Sequence, residues 1–282
     1  MPRALELLMT TIYKSYVPGP FGLIHYYAAG PDAGVRSGPC LIMAHQSPVC
    51  ARMFEQAMPR LAALGIRAVA VDTPGYGNSD VPGAPPALSA YADAFAAVLD
   101  GLSLERAHFL GHHTGAGILC NFAARYPQRV DKLILNGPPL FSAAELAQFR
   151  DFELGPHPVH ADGSHLKDRW DMRVQYTPGW SNAQAMHRRL VDQLWAGDTW
   201  WYGHRAAFDY QMEPDLMALT GPALILTNTG DDLYGCAQKA RALRPDFAYA
   251  ELEGGTHDIV DEQPEAWSRC VADFVLGSDP KL

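Results

Sequence analysis

A chain of 282 residues with 48% apolar content can bury a full core, which excludes disorder over most of its length. Its formal net charge of -9, with no Lys/Arg-rich run, excludes nucleic acid and anionic membrane surfaces as attractive partners. The five cysteines, Cys40, Cys50, Cys120, Cys236 and Cys270, are odd in number and scattered, which argues for reduced, mostly structural thiols and against a disulfide framework or a zinc ribbon.

Between Met1 and Ser15 the apolar patch Ala4 to Met9 is too short for a signal segment or a membrane span, so a cytoplasmic location is expected. Phe21 to Ala28 and Cys40 to Ala44 are apolar runs bounded by Gly and Pro and predict strands, with the turn-rich stretch Gly30 to Pro39 between them. After Pro48 a helical stripe of Met53, Phe54, Ala57, Met58, Leu61 and Leu64 runs until Gly65 stops it. Strand Ile66 to Val71, helix Leu88 to Leu102, strand Arg106 to Leu110, helix Gly115 to Tyr126 and strand Asp131 to Leu135 follow. Such alternation predicts an α/β fold with a mostly parallel sheet covered on both faces.

From about Phe141 to Pro214 the rhythm breaks, and Trp170, Trp180, Trp195, Trp200 and Trp201 crowd together with His157, His160, His165, His187 and His204. Alternation resumes with strand Pro222 to Leu226, a helix near Cys236 to Leu243, strand Phe247 to Leu252 and helix Pro264 to Leu276. The simplest architecture is one α/β core domain, residues 1-140 and 215-282, interrupted by a helical cap at 141-214. The tryptophans are expected to form the cap's own small core, with Trp170 and Trp200 facing an apolar or aromatic substrate. No fixed-period repeat or low-complexity tract is present, which removes solenoids and propellers. The spacing of His157, His160 and His165 is loop-like, so no metal site is expected there.

The most informative segment is His108 to Gly117, HFLGHHTGAG, an apolar strand that runs through Gly111, two histidines and Gly115 into a helix. A glycine-flanked turn between strand and helix raises the residue midway, His113, at the carboxyl end of the sheet, where open α/β sheets bind ligands.

With Gly111-His112-His113-Thr114-Gly115 standing where G-x-S-x-G stands, the sequence resembles the α/β-hydrolase superfamily, His113 replacing the serine nucleophile. Asp72-Thr73-Pro74-Gly75-Tyr76-Gly77-Asn78-Ser79-Asp80 resembles the family's D-x-x-G-x-G-x-S-D turn; Asp72 and Ser79 read as turn-forming residues. The resemblance implies that Asp231, with Asp232 as the alternative, is the acid, and that His257 is the late histidine. It also implies an oxyanion hole made by the backbone N–H groups of Ser47 and Thr114, since His45-Gln46-Ser47-Pro48 stands where H-G-x-P stands. Gln46 replaces the glycine there and can add a side-chain amide to the substrate pocket. His112 reads as a structural residue beneath the elbow.

A free imidazole has a pKa of about 6.5, so His113 can act as nucleophile, general base or hydrogen-bond donor. Asp231 is expected as the orienting acid and His257 as a general acid/base, with one of His113 and His257 neutral near pH 7 because charging both costs repulsion. Three readings stand. The first is a cofactor-independent hydrolase of an ester, lactone or related carbonyl compound. The second is a lyase that uses the same histidines to move a proton, and the third is a hydrolase-like ligand-binding protein without turnover. No cofactor is implied, for there is no G-x-G-x-x-G after the first strand and no P-loop. The partner expected is a small-molecule substrate, and the sequence leaves the oligomeric state open.

Overall fold

The computed structural model describes residues 11–30, 38–152, 154–180 and 182–277. The patch Ala4 to Met9 and most of the stretch Gly30 to Pro39 lie outside the described residues. In chain order the first elements are strands β1 (Tyr13–Gly19), β2 (Gly22–Ala29) and β3 (Cys40–Ala44), helix α1 (Met58–Ala63), β4 (Arg67–Val71) and α2 (Leu88–Gly101). Strand β5 (Ala107–His112), α3 (Thr114–Arg125) and β6 (Val130–Asn136) follow. Next come five helices: α4 (Ala143–Arg150), α5 (Ser164–Tyr176), α6 (Ala183–Trp195), α7 (Tyr202–Phe208) and α8 (Met212–Ala218). The chain then returns to β7 (Ala223–Asn228), α9 (Tyr234–Leu243), β8 (Ala248–Leu252), α10 (Ile259–Glu262) and α11 (Pro264–Leu276).

Among the described residues eight strands form one sheet in the order β1-β2-β4-β3-β5-β6-β7-β8. The β1–β2 and β2–β4 pairs are antiparallel and every other pair is parallel. The expected mostly parallel sheet is therefore present. Strand β1 had no sequence signal because only Val17 of YKSYVPG is buried, which leaves no apolar run to detect. The helical stripe after Pro48 is two pieces, a 3-10 turn at Ala51–Phe54 and then α1. Pro59 near the start of α1 has no N–H to continue the ladder, so the helix must restart there.

Alternate residues of the central strands feed opposite faces of the sheet. Ile42, Val69, Val71 and Phe109 pack against α2 and α3 through Phe95, Val98 and Phe122. Leu41, Met43, Leu110 and Ile134 face the other way, onto Met58, Leu61 and the fully buried Trp267.

The tryptophans between β6 and β7 do not form the expected small core, since none of the five is fully buried. Phenylalanines of this region cluster instead, also only partly buried: Phe149 stacks on Phe208 at 4.7 Å and packs against Phe141 at 4.8 Å. Each indole N–H needs an acceptor, and Trp195, Trp200 and Trp201 find theirs in the carbonyls of Gly77, Gly155 and Asp198.

Candidate active site

The parallel strands share a direction, so the segments after β3, β5, β6, β7 and β8 meet at one edge. They carry Gln46 and Ser47, His113, Gly137, Asp231 and His257 respectively. His113 links β5 to α3 with φ 48° and ψ -113°, a left-handed backbone that costs a non-glycine residue on the order of 1–3 kcal/mol. The turn holds because strand and helix cross at glycines. A Cβ on Gly111 would lie 2.2 Å from the Gly115 carbonyl oxygen, and one on Gly115 would lie 2.3 Å from that of Ala44. The His113 N–H donates to the Asn136 carbonyl at 2.9 Å, which ties the elbow to β6.

His113 Nε2 lies 2.9 Å from each Asp231 carboxylate oxygen. The Asp231 side chain is 0% exposed and that of His113 is 13% exposed. Burial opposes ionisation of Asp231, but the charge and hydrogen bond of His113, with lesser help from His112 and the Leu233 N–H, hold its carboxyl well below the usual range. A carboxylate only accepts, so Nε2 carries the proton. In the neutral imidazole that leaves Nδ1 with its lone pair and, among the described residues, no hydrogen-bond partner. Asp231 therefore orients an imidazole, but the imidazole is that of His113.

His257, expected to pair with the acid, is turned elsewhere. Its ring centroid is 6.4 Å from that of His113, its Nε2 accepts from Arg173 Nη1 at 3.0 Å, and its Nδ1 is 3.5 Å from Asp232. A serine at position 113 would leave a gap for His257 to bridge to the carboxylate. The imidazole of His113 crosses that gap and takes the carboxylate itself. Burial, then the nearby charges of Arg173 and His113, push the His257 pKa down against the opposing pull of Asp232. His112 stacks on His113 at 4.4 Å and bonds through Nε2 to the His257 carbonyl at 2.9 Å. Burial, followed by the His113 charge, lowers its pKa to about 3, as suits a structural residue.

The Ser47 N–H donates to Thr114 Oγ1 at 3.4 Å. Thr114 is the first residue of α3, so its own N–H has no acceptor within the helix. A cavity of about 390 Å³ opens over the elbow. Gln46, His113, Arg173, His204 and His257 form its polar wall, and Phe152, Leu154, Met172, Trp200 and Phe208 its apolar wall. Trp200 lines this cavity, whereas Trp170 is not among the lining residues. His157 stacks on Trp200 at 3.9 Å, away from His160 and His165, whose rings are 6.2 Å apart. Among the described residues no group of three or more His, Cys, Asp or Glu side chains is placed to hold a metal ion.

Arg173 had no sequence signal. It belongs to a buried ionic cluster that ties α5 and α6 to the core: Arg173 pairs with Asp258, and Arg189 bonds Asp261 at 2.6 Å and the Met53 carbonyl at 3.1 Å. Arg52 reaches Asp192 of α6 at 2.9 Å. Gln46 is buried beside this cluster, its amide 3.5 Å from Asp258.

Residues 39–232 match the family model of the alpha/beta hydrolase fold, and the chain belongs to that family. It is a hydrolase of that superfamily. Carboxylesterase YbfK of Bacillus subtilis (strain 168) is 27% identical over 93% of this chain and 87% of its own length. The non-heme chloroperoxidase of Streptomyces lividans is 34% identical over 86% of this chain and 94% of its own. Among solved structures, epoxide hydrolase A from Mycobacterium thermoresistibile superposes with a TM-score of 0.75 at 22% identity, over 96% of this chain and all of that one. The enol-lactonase from Burkholderia xenovorans LB400 gives 0.70 at 20% identity, over 93% of this chain and all of that one. Among the described residues no helix is long and apolar enough to cross a membrane.

Proposed function

We propose that the protein is a cofactor-independent hydrolase of an ester, lactone or related carbonyl compound with an apolar or aromatic part, and that the His113–Asp231 dyad is its general base. The helices of residues 141–214 act as a cap, with Trp200 and the phenylalanines taking the apolar part of the substrate. One observation carries this reading: both oxygens of Asp231 hold Nε2 of His113, which leaves Nδ1 as the basic nitrogen. Attack by Nδ1 itself is hindered by the adjacent Cβ, whereas a water molecule bonded to Nδ1 is not.

In this mechanism Nδ1 removes a proton from water as its oxygen adds to the carbonyl carbon, and the carbonyl oxygen takes up negative charge facing the N–H groups of Ser47 and Thr114. The carbon–oxygen bond to the leaving group then breaks. The His113 imidazolium returns its proton to the departing oxygen, which gives acid and alcohol with the enzyme unchanged. A lyase is the second reading, favoured by the fact that among the described residues Nδ1 has no hydroxyl partner and can take a proton from carbon instead.

The test is turnover of aryl esters and lactones by wild type, His113→Ala and His113→Gln, with products and intact protein followed by mass spectrometry after rapid quench. Activity lost in both variants, with no acyl adduct on the wild type, supports the base. Unchanged activity in His113→Ala refutes it, and an acyl group on His113 makes that residue the nucleophile. Non-hydrolytic products select the lyase.

A further inference from the structure

The two imidazoles of the site are held very differently. His113 has one free nitrogen, whereas Nε2 of His257, the atom that serves as base in a serine hydrolase of this fold, is capped by a guanidinium. We propose that Arg173 is a positioning residue that withholds His257 from base chemistry: by donating Nη1–H to Nε2, it holds His257 as the neutral Nδ1–H tautomer and leaves His113 as the single base. This inference rests on the general-base reading of His113.

The geometry supplies the reasons. A guanidinium has donors and no acceptor, so the 3.0 Å contact requires a lone pair on His257 Nε2. The ring proton must then sit on Nδ1, on the side of Asp232 Oδ2 at 3.5 Å. Protonating Nε2 would set two cationic groups against each other with little water between them, because the Arg173 side chain is 9% exposed and that of His257 is 11% exposed. Arg173 cannot easily swing away, since Asp258 pairs with it and the neighbouring Arg189 is pinned between Asp261 and Asp258.

The charged and titratable groups around His257 come from every neighbouring element. Arg173 faces it from α5, Asp232 from the segment after β7, His113 from the elbow at 6.4 Å, and Asp258 Oδ2 lies 3.7 Å from Nε2. His112 holds its backbone carbonyl. Of these, Arg173 is the one that bonds Nε2. Because it sits on α5, the capped state of His257 depends on that helix being seated on the core.

Nitrogen-15 NMR of histidine-labelled protein reads the tautomer without any turnover. The expected wild-type result is a His257 signature with Nε2 unprotonated and Nδ1 protonated, unchanged as pH is varied across about 5 to 8. In Arg173→Met, His257 should gain a titration in that window, its midpoint raised by about one unit or more, and the pH dependence of kcat/KM should acquire a second ionisation. Arg173→Lys should retain the charge beside Asp258 and give an intermediate shift. A wild-type His257 protonated on Nε2, or titrating near its ordinary value, overturns the inference. So does an unchanged kcat/KM profile in folded Arg173→Met. If Arg173→Met does not fold, the wild-type spectrum and Arg173→Lys decide. The base reading of His113 fails separately, by unchanged activity in His113→Ala.

Discussion

Asp231→Asn is the sharpest perturbation of the dyad, because it removes a charge and changes almost no volume. The carboxylate is fully buried, both of its oxygens are 2.9 Å from His113 Nε2, and one also accepts from the Leu233 N–H at 2.7 Å. With His113 neutral the loss is that of a charge-assisted hydrogen bond, about 1.5–3 kcal/mol of stability. With His113 protonated in the transition state, the loss is that of one partner of a buried ion pair, roughly 3–5 kcal/mol. Only the difference between the two losses, about 1.5–2 kcal/mol, raises the barrier, so at about 1.4 kcal/mol per factor of ten kcat should fall by about 10- to 30-fold. The amide can also present N–H to Nε2 and select the wrong tautomer, which acts in the same direction. Steady-state kcat on the best aryl ester or lactone, with circular dichroism and a thermal melt on the same preparation, reads both effects. A folded variant whose kcat stays within about threefold of wild type, less than about 1 kcal/mol of barrier, would refute the assignment of Asp231.

Gly137→Ala should act on the same dyad from the backbone side. Gly137 has φ 55°, and a Cβ there would lie 2.5 Å from His113 Cδ2 and 2.7 Å from Nε2. A stability loss on the order of 1–3 kcal/mol is expected together with a larger fall in kcat, and normal kinetics would contradict the placement of His113. His113→Ser recreates the family's serine but should not recreate its chemistry, because Arg173 still caps His257. A fluorophosphonate probe should leave the introduced hydroxyl unlabelled, and stoichiometric labelling of that variant would count against the capping. Trp200→Ala should raise KM for aromatic substrates with little change in kcat, since Trp200 lines the cavity away from the dyad. The acid limb of stability should carry the mark of His112. Its folded pKa, about 3, is below its unfolded value, so the unfolded chain takes up the proton first. Stability is therefore lost as pH falls from about 6.5 toward 3, by up to about 1.4 kcal/mol per pH unit, and His112→Gln should flatten that slope in urea unfolding.

The alternation of apolar runs revealed the sheet, because central parallel strands are buried on both faces and must be written in continuous apolar residues. Strand β3 and helix α11 occupy the spans read from the sequence, and the elbow was visible because a turn that tight leaves room only for glycine at 111 and 115. Pairing among the site's side chains was a different matter. The positions of His113, Asp231 and His257 follow from chain order, but which imidazole takes the carboxylate depends on how far a side chain reaches in three dimensions. A serine hydroxyl stops short of Asp231, and an imidazole arrives. Arg173 was hidden for a related reason. In the string SHLKDRWDMRVQY it is one of several charges on a polar helix, and only the fold puts its guanidinium against His257 and Asp258 while leaving Lys167 in solvent. Replacing serine by histidine at the elbow is thus a change to three positions at once. Under the proposed mechanism it would move the base from 257 to 113, reassign the carboxylate of Asp231, and leave a second imidazole that would compete for protons unless a cation such as Arg173 restrains it.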